Sequence, residues 1–202
     1  MFKLLSIPAR LAVIFTFCSL TACAIGKGAP TSLSHNVVHR TITPHTMQLV
    51  QVTTPVPYDE VTSRLYALLG PLNSADVLLG ATSVADLQAR VGAVLGSSGF
   101  MHFIEFDHGA WHQLFYSTPT PRFKIYVIGN PFIAETMVQY DLRAGYNVPP
   151  RLMILEDGNG TKIVHHLLSS VIDMSGPASL MTAAMVLDAK FEAVVNNITA
   201  AL

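Results

Sequence analysis

His108 and His112 are the first residues whose types and spacing could support chemistry, because they stand four positions apart directly after the strand-like run FIEFD. If a helix begins near Asp107, this spacing places both imidazoles on one helix face, where they could hold one metal ion. Imidazole ligands suit copper and zinc, so a site for one of these transition metals is one interpretation. The other is a strand end whose polar side chains form ordinary hydrogen bonds.

A metal site built on His108 and His112 needs at least one more ligand. Nitrogen and soft sulfur candidates elsewhere in the chain are His102, His165, His166, Met101, Met137 and Met153. No HExxH motif and no cysteine-based metal motif accompanies them. The sequence therefore predicts only the pair itself as metal ligands and leaves the third ligand open.

Asp107 next to His108 is a second chemical pattern, because a carboxylate can orient an imidazole for base catalysis. Neighbouring residues on a strand point to opposite faces, so direct pairing requires the strand to end there. No serine in a nucleophile-elbow motif is present. We assign no catalytic residue, and an enzyme using His102, His108 and His112 for metal-assisted or redox chemistry is the alternative to a binding module.

The tripeptide Gly129-Asn130-Pro131 precedes a short apolar segment and predicts the start of a helix. Asn130 would cap that helix and Pro131 would fit its first turn. The unpaired backbone N–H groups at such a helix start could also hold an anion or a carbonyl group. The residues that we predict to bind a ligand are His102, Asp107, His108, Gly129, Asn130 and Pro131.

The elements that must position these residues are indicated by hydrophobic periodicity and by turn residues. Strands are predicted at 47–54, 100–107, 123–130, 151–157 and 161–168. Helices are predicted at 59–69, 83–95, from 131 to about 138, and from 177 to 200. In the second strand, strict alternation would place His102, Ile104 and Phe106 on one face and Glu105 and Asp107 on the other.

This order of elements predicts an α+β fold with an antiparallel-rich sheet, helices packed on one face and a long C-terminal helix. That last helix carries a continuous apolar stripe, which must cover either a sheet or a partner. An aromatic set is expected in the core or at a dimer contact rather than in a ligand pocket. It comprises Trp111, Phe115, Tyr116 and Tyr126.

The N-terminus predicts export. Lys3 and Arg10 precede the uncharged run LAVIFTFCSL, which is too short for a membrane span and typical of a signal peptide. Leu20-Thr21-Ala22-Cys23 resembles a bacterial lipobox, so residues 1–22 would be removed and Cys23 would carry fatty acyl chains such as palmitate. A secretory signal with a chance cysteine is the simpler alternative.

The lipobox interpretation predicts a lipid-anchored protein whose other cysteine, Cys18, leaves with the signal. Residues 23–36 would form a flexible tether and residues 37–202 a single domain. Ala24 after the cysteine is typical of outer-membrane lipoproteins that face the periplasm. Lys and Arg are scattered singly and the net charge is -1, so we expect no nucleic-acid partner.

Three ordered motifs, FDHGAWHQL, KIYVIGNPFIAETMV and AGYNVPPRLMILEDGNGTKIV, resemble the family called domain of unknown function 302. The resemblance covers roughly Thr46 to Ile172, apart from an additional segment from about Pro71 to Ser98. It implies a compact α+β fold that often self-associates as a homodimer, with no agreed activity and a faint link to metals or electron carriers.

Three interpretations of function remain at this point. The first is an envelope lipoprotein that binds a small ligand, a metal or a partner without catalysis. The second is the histidine-based enzyme, and the third is a structural dimer formed through the C-terminal helix. The first two are separated by whether a pocket joins the histidines to Asn130, whereas apolar helix surface left exposed by one chain would favour the third.

Overall fold

The computed structural model describes residues 39–158, 160–172 and 176–201. The predicted signal peptide and tether lie outside these residues. Residues Thr43–Leu202 form one compact unit, and residues 39–42 before it contain no helix or strand. No helix in the described part of the chain is both long enough and apolar enough to cross a membrane.

The unit is built on one five-stranded sheet. Its strands are β1 (Leu49–Thr54), β2 (Met101–Asp107), β3 (Phe123–Gly129), β4 (Arg151–Asp157) and β5 (Gly160–His166). They lie in the order β1-β5-β4-β3-β2, and every neighbouring pair is antiparallel. All five strands lie where the β-rich runs predicted them, and β4 and β5 form the predicted hairpin.

Five α-helices accompany the sheet in the described residues. They are α1 (Tyr58–Leu68), α2 (Val84–Gly92), α3 (His108–His112), α4 (Pro131–Val138) and α5 (Ala178–Thr199). Short 3-10 helices occupy Ser74–Leu78, Gln113–Phe115, Leu142–Asn147 and Leu168–Ser170. The predicted caps are confirmed, because Ser83 accepts a hydrogen bond from the N–H of Asp86 and Asn130 accepts one from Phe132.

The core lies between one face of the sheet and the helices α1 and α5. Sheet residues buried there are Tyr126, Ile128, Leu152, Ile154 and Ile163. The stripe of α5, which includes Leu187 and Phe191, is buried against this core, and the Phe191 ring lies 5.0 Å from His165. The stripe therefore covers its own sheet and is not left exposed for a second chain. The predicted α+β class is confirmed.

The predicted alternation along β2 is wrong. His102 pairs with Ile128, but Ile104 pairs with Val127, so Phe103 is an additional residue that forms a β-bulge. The bulge reverses which face the later residues occupy: Glu105 and Asp107, paired with Tyr126 and Lys124, lie on the same face as His102. Ile104 and Phe106 lie on the opposite, partly exposed face.

Candidate functional site

Asp107 and His108 stand where β2 ends and α3 begins, so the condition for their direct pairing is met. The Asp107 carboxylate nevertheless accepts a hydrogen bond from the N–H of Ala110 at 2.9 Å, which makes it the cap of α3. The indole N–H of Trp111 donates to Nδ1 of His108 at 2.9 Å. Both side chains are therefore used in local structure and do not form a catalytic pair.

His108 and His112 do share one side of α3, and both rings pack against Phe123, at 6.0 and 5.6 Å between centroids. His108 also stacks on Phe106. Within residues 39–158, 160–172 and 176–201, no group of three or more His, Cys, Asp or Glu side chains could hold a metal ion. The metal assignment stays a prediction without a third ligand from the described residues.

His102 lies on the other side of the sheet from Phe106 and its neighbour His108. It is buried, and its ring centroid lies 6.0 Å from that of Tyr66 and 5.8 Å from that of Tyr126. Because the sheet separates His102 from His108, the six predicted ligand-binding residues do not form one site. The enzyme built on three converging histidines loses its geometric basis.

The face that holds His102 contains a polar cleft of about 450 Å³, here called the tyrosine cleft. Helix α1 contributes one wall and the start of β3 the other. The lining includes Tyr58, Asp59, Thr62, Tyr66, Asp107, Gln113, Arg122, Lys124 and Tyr126. Of the predicted ligand-binding residues, only Asp107 is among these lining residues.

Three buried polar atoms on this face of the sheet have no hydrogen-bond partner among the described residues, and two of them belong to residues that line the cleft. They are the hydroxyl oxygens of Tyr58 and Tyr126 and the Nε2 atom of His102. Tyr126 is fully buried, and its ring lies 5.9 Å from that of Tyr66. A buried hydroxyl without a partner is unfavourable, so the two tyrosine hydroxyls are the strongest indication that the cleft accommodates something else.

The tyrosines are held in their neutral form. Burial raises the pKa of Tyr126, and the neighbouring hydroxyls of Tyr66 and Tyr58 raise it further. Burial is also the main cause of the raised pKa values of Tyr58 and Tyr66. The phenols are therefore hydrogen-bond donors at neutral pH rather than bases. Burial likewise lowers the pKa of His102, although Glu105 opposes this, so its imidazole is neutral.

The charged groups of the cleft compensate one another. The Lys124 ammonium lies 3.1 Å from Glu105 and 3.5 Å from Asp107. Burial alone would lower the pKa of Lys124, but the hydrogen bond to Glu105 and the nearby Tyr66 and Asp107 raise it overall. The Tyr66 hydroxyl donates to the other oxygen of Glu105 at 2.8 Å.

Arg122 forms the outer rim of the cleft. Its guanidinium contacts Asp59 at 2.6 Å and Glu156 at 3.0 Å, and lies 4.5 Å from the centre of the Tyr58 ring. These contacts tie α1 to β3 and β4 at the mouth of the cleft. Because the pairs are exposed, they fix geometry more than they add stability.

Sequence reasoning did not identify the tyrosines as site residues. A signal was present in α1, where Tyr58, Thr62 and Tyr66 repeat every four residues and so form a polar stripe beside the apolar one. The acids were assigned to the wrong face because the bulge was not foreseen. The predicted aromatic set is also split, since Tyr126 is in the core whereas Trp111, Phe115 and Tyr116 are exposed.

Gly129, Asn130 and Pro131 line a different, mainly apolar pocket of about 180 Å³, together with Phe100, Phe103, Ile133 and Leu187 among others. Both ends of the Asn130 side chain are used, since its amide nitrogen donates to the carbonyl of Gly99 and its oxygen caps α4. None of the histidines lines this pocket. The predicted GNP motif is therefore a helix cap at the rim of an apolar space.

Comparison with known proteins identifies related sequences and folds. The family model described as domain of unknown function DUF302 matches residues 76–198. The chain is similar to the crystal structure of an uncharacterized conserved protein DUF302 from Bacillus stearothermophilus, with a TM-score of 0.54 and 17% sequence identity. The similarity covers 76% of this chain and 99% of that one. No curated protein matches the chain.

The matched range begins and ends later than the sequence motifs indicated. It includes most of the segment from Pro71 to Ser98, which the sequence motifs predict to be additional to the family domain. It also includes nearly all of α5. At 17% identity the solved structure supports the fold and nothing more specific.

Proposed function

Because the chain belongs to the DUF302 family, a domain of unknown function, we propose its role from its own residues. The protein is a non-catalytic binding module, and its tyrosine cleft holds a small, neutral, polyhydroxylated ligand. The observation that carries this proposal is the pair of buried hydroxyls, on Tyr58 and Tyr126, that have no hydrogen-bond partner in the part of the chain that the structure describes. A ligand oxygen would satisfy them, and a cleft of about 450 Å³ has the size of ordinary small-molecule sites.

The charge pattern supports a neutral ligand. Lys124 and Arg122 are each paired with two carboxylates, so the described residues that line the cleft include no unpaired cation to attract an anion. The same pairs offer both hydrogen-bond donors and acceptors along the walls, which suits ligand hydroxyl groups because each hydroxyl donates and accepts. The ring of Tyr66, which is 42% exposed, supplies flat apolar surface for the carbon skeleton.

Isothermal titration calorimetry with glucose, N-acetylglucosamine and inositol as probes tests the proposal, with succinate and spermidine as charged controls. We expect at least one neutral probe to bind, and Tyr126→Phe to weaken it roughly tenfold by removing one donor. Tyr146→Phe is the matched control, because Tyr146 is 92% exposed and does not line the cleft. Binding of the charged probes alone, or equal affinity in both variants, would contradict the proposal.

We also propose that the domain is carried by an outer-membrane lipoprotein and faces the periplasm. The support is the sequence of residues 1–23, with its basic start, short apolar run and lipobox cysteine. A lipid on Cys23 would hold the chain at the membrane without a spanning helix. The ligand would then be a molecule found in the cell envelope.

A further inference from the structure

A group of four large apolar side chains projects from the connection between β2 and β3. Their exposed fractions are 51% for Trp111, 84% for Leu114, 76% for Phe115 and 53% for Tyr116. Trp111 lies on α3, Leu114 and Phe115 lie on the 3-10 helix Gln113–Phe115, and Tyr116 directly follows it. These four residues are here called the aromatic tip. Single exposed apolar residues are ordinary, but a contiguous group of this kind indicates an interaction surface.

The polar side chains of Trp111 and Gln113, beside the aromatic tip, are already hydrogen-bonded within the chain. The indole N–H of Trp111 donates to His108, although half of the Trp111 side chain is exposed. The Gln113 amide nitrogen donates to the carbonyls of Tyr116 and Thr118, and its oxygen accepts from the N–H and hydroxyl of Thr120. These hydrogen bonds would persist if the loop moved from water into a low-dielectric medium. The free-energy cost of desolvating the bonded groups is therefore lower.

The connection also lacks charge. No Asp, Glu, Lys or Arg occurs between Asp107 and Arg122. Arg122 itself is paired with Asp59 and Glu156, beside the tyrosine cleft. A protein interface ordinarily has a polar rim and is enriched in Arg. The polar residues along this connection, such as Gln113, Thr118 and Thr120, include none of the four charged residue types.

From these observations we propose that the aromatic tip inserts into the interfacial layer of a lipid bilayer of neutral phospholipids. The gradient of exposure matches the layers of a membrane: Leu114 and Phe115 protrude furthest and would reach the acyl chains. Trp111 and Tyr116 stand at the base, at the headgroup level that these amphipathic rings favour. The contact is separate from any lipid on Cys23. The connection that carries the tip also contributes Gln113 to the tyrosine cleft, but none of the four inserted side chains lines that cleft.

Trp111 is the single tryptophan of the chain, so its fluorescence reports on the tip directly. The full chain is mixed with phosphatidylcholine vesicles, and the emission wavelength and the quenching by brominated acyl chains are recorded. We expect a blue shift and strong quenching that do not change with salt, because no lysine or arginine lies in the connection.

Leu114→Asp combined with Phe115→Asp is expected to abolish the shift and reduce quenching by roughly tenfold. Met185→Asp with Val186→Asp is the matched control, because these α5 residues are exposed and apolar but distant in sequence from the tip. Circular dichroism checks that both variants keep their fold; if the tip variant does not fold, Phe115→Ser alone replaces it.

Three results would overturn the proposal. The first is an emission spectrum that vesicles do not change. The second is a blue shift that depends on protein concentration without vesicles, which would indicate contact with a second copy instead. The third is equal loss of quenching in the tip and α5 variants.

Discussion

Replacing Tyr126 with phenylalanine should make the unliganded protein more stable. The side chain is fully buried, and its hydroxyl has no hydrogen-bond partner among the described residues. A buried hydroxyl in that condition costs about 1–3 kcal/mol, and the substitution removes it while keeping the ring. We expect the free energy of unfolding to rise by about 1–2 kcal/mol, because the emptied space offsets part of the gain.

The measurement is thermal unfolding of the full chain, followed by calorimetry. For a unit of this size, about 1 kcal/mol corresponds to a rise in Tm of about 2–4 °C. Tyr146→Phe again serves as the control, since the change at a fully solvated ring should stay within about 0.5 kcal/mol. Stability and ligand affinity should therefore move in opposite directions in the Tyr126 variant.

A fall in Tm of Tyr126→Phe by several degrees would refute this reasoning. It would mean that the hydroxyl makes a hydrogen bond in the unliganded protein, so that no donor is reserved for a ligand. A double variant with Tyr58→Phe locates such a bond, because the two effects would then fail to add.

Three further outcomes are expected. Gly129→Ala should lower the free energy of unfolding in urea by about 1–3 kcal/mol, because the added Cβ would lie 2.9 Å from the Phe103 ring. Gly92→Ala is the control: its Cβ would meet nothing within 4 Å, and the change should stabilise α2 by about 0.5–1 kcal/mol. His102 has a lowered pKa in the folded state, so the unfolded chain takes up its proton first and stability falls as the pH drops below about 6.5. His102→Phe should reduce this slope in urea titrations across that range, and an unchanged slope would exclude His102 as its source. Cys23→Ser should abolish labelling by radioactive palmitate, whereas persistence of the label would remove the lipid anchor.

Local patterns predicted much of the fold because local physics determines it. The strands are β-rich runs bounded by glycine, proline and asparagine, and the caps at Ser83 and Asn130 depend on residues within three positions. The apolar stripe of α5 could be predicted because the spacing of its apolar residues repeats over a helix of 22 residues. Helix α2 is shorter than predicted, ending at Gly92, since helix ends depend on tertiary contacts.

The candidate site was not predictable in the same way. Closeness in sequence drew attention to His108 and His112, whereas the tyrosine cleft joins α1 to β3 across more than fifty positions. Whether Tyr58 meets Tyr126 depends on how α1 is placed on the sheet, and no local pattern encodes this. The sequence periodicity of α1 does include the polar stripe. Until the position of the helix on the sheet is known, however, this stripe is indistinguishable from an ordinary solvent-exposed helix face.

The β-bulge makes the acidic lining of the tyrosine cleft depend on how β2 is paired with β3. In a regular strand of the same length, Ile104 and Phe106 would lie on the face of Tyr126 and Lys124, and both acids would turn to the opposite face, with the same five-stranded architecture. A homologue could therefore retain both acids in an alignment and still lack the cleft. Transferring this site between relatives requires comparing the pairing of this strand before comparing amino-acid identity.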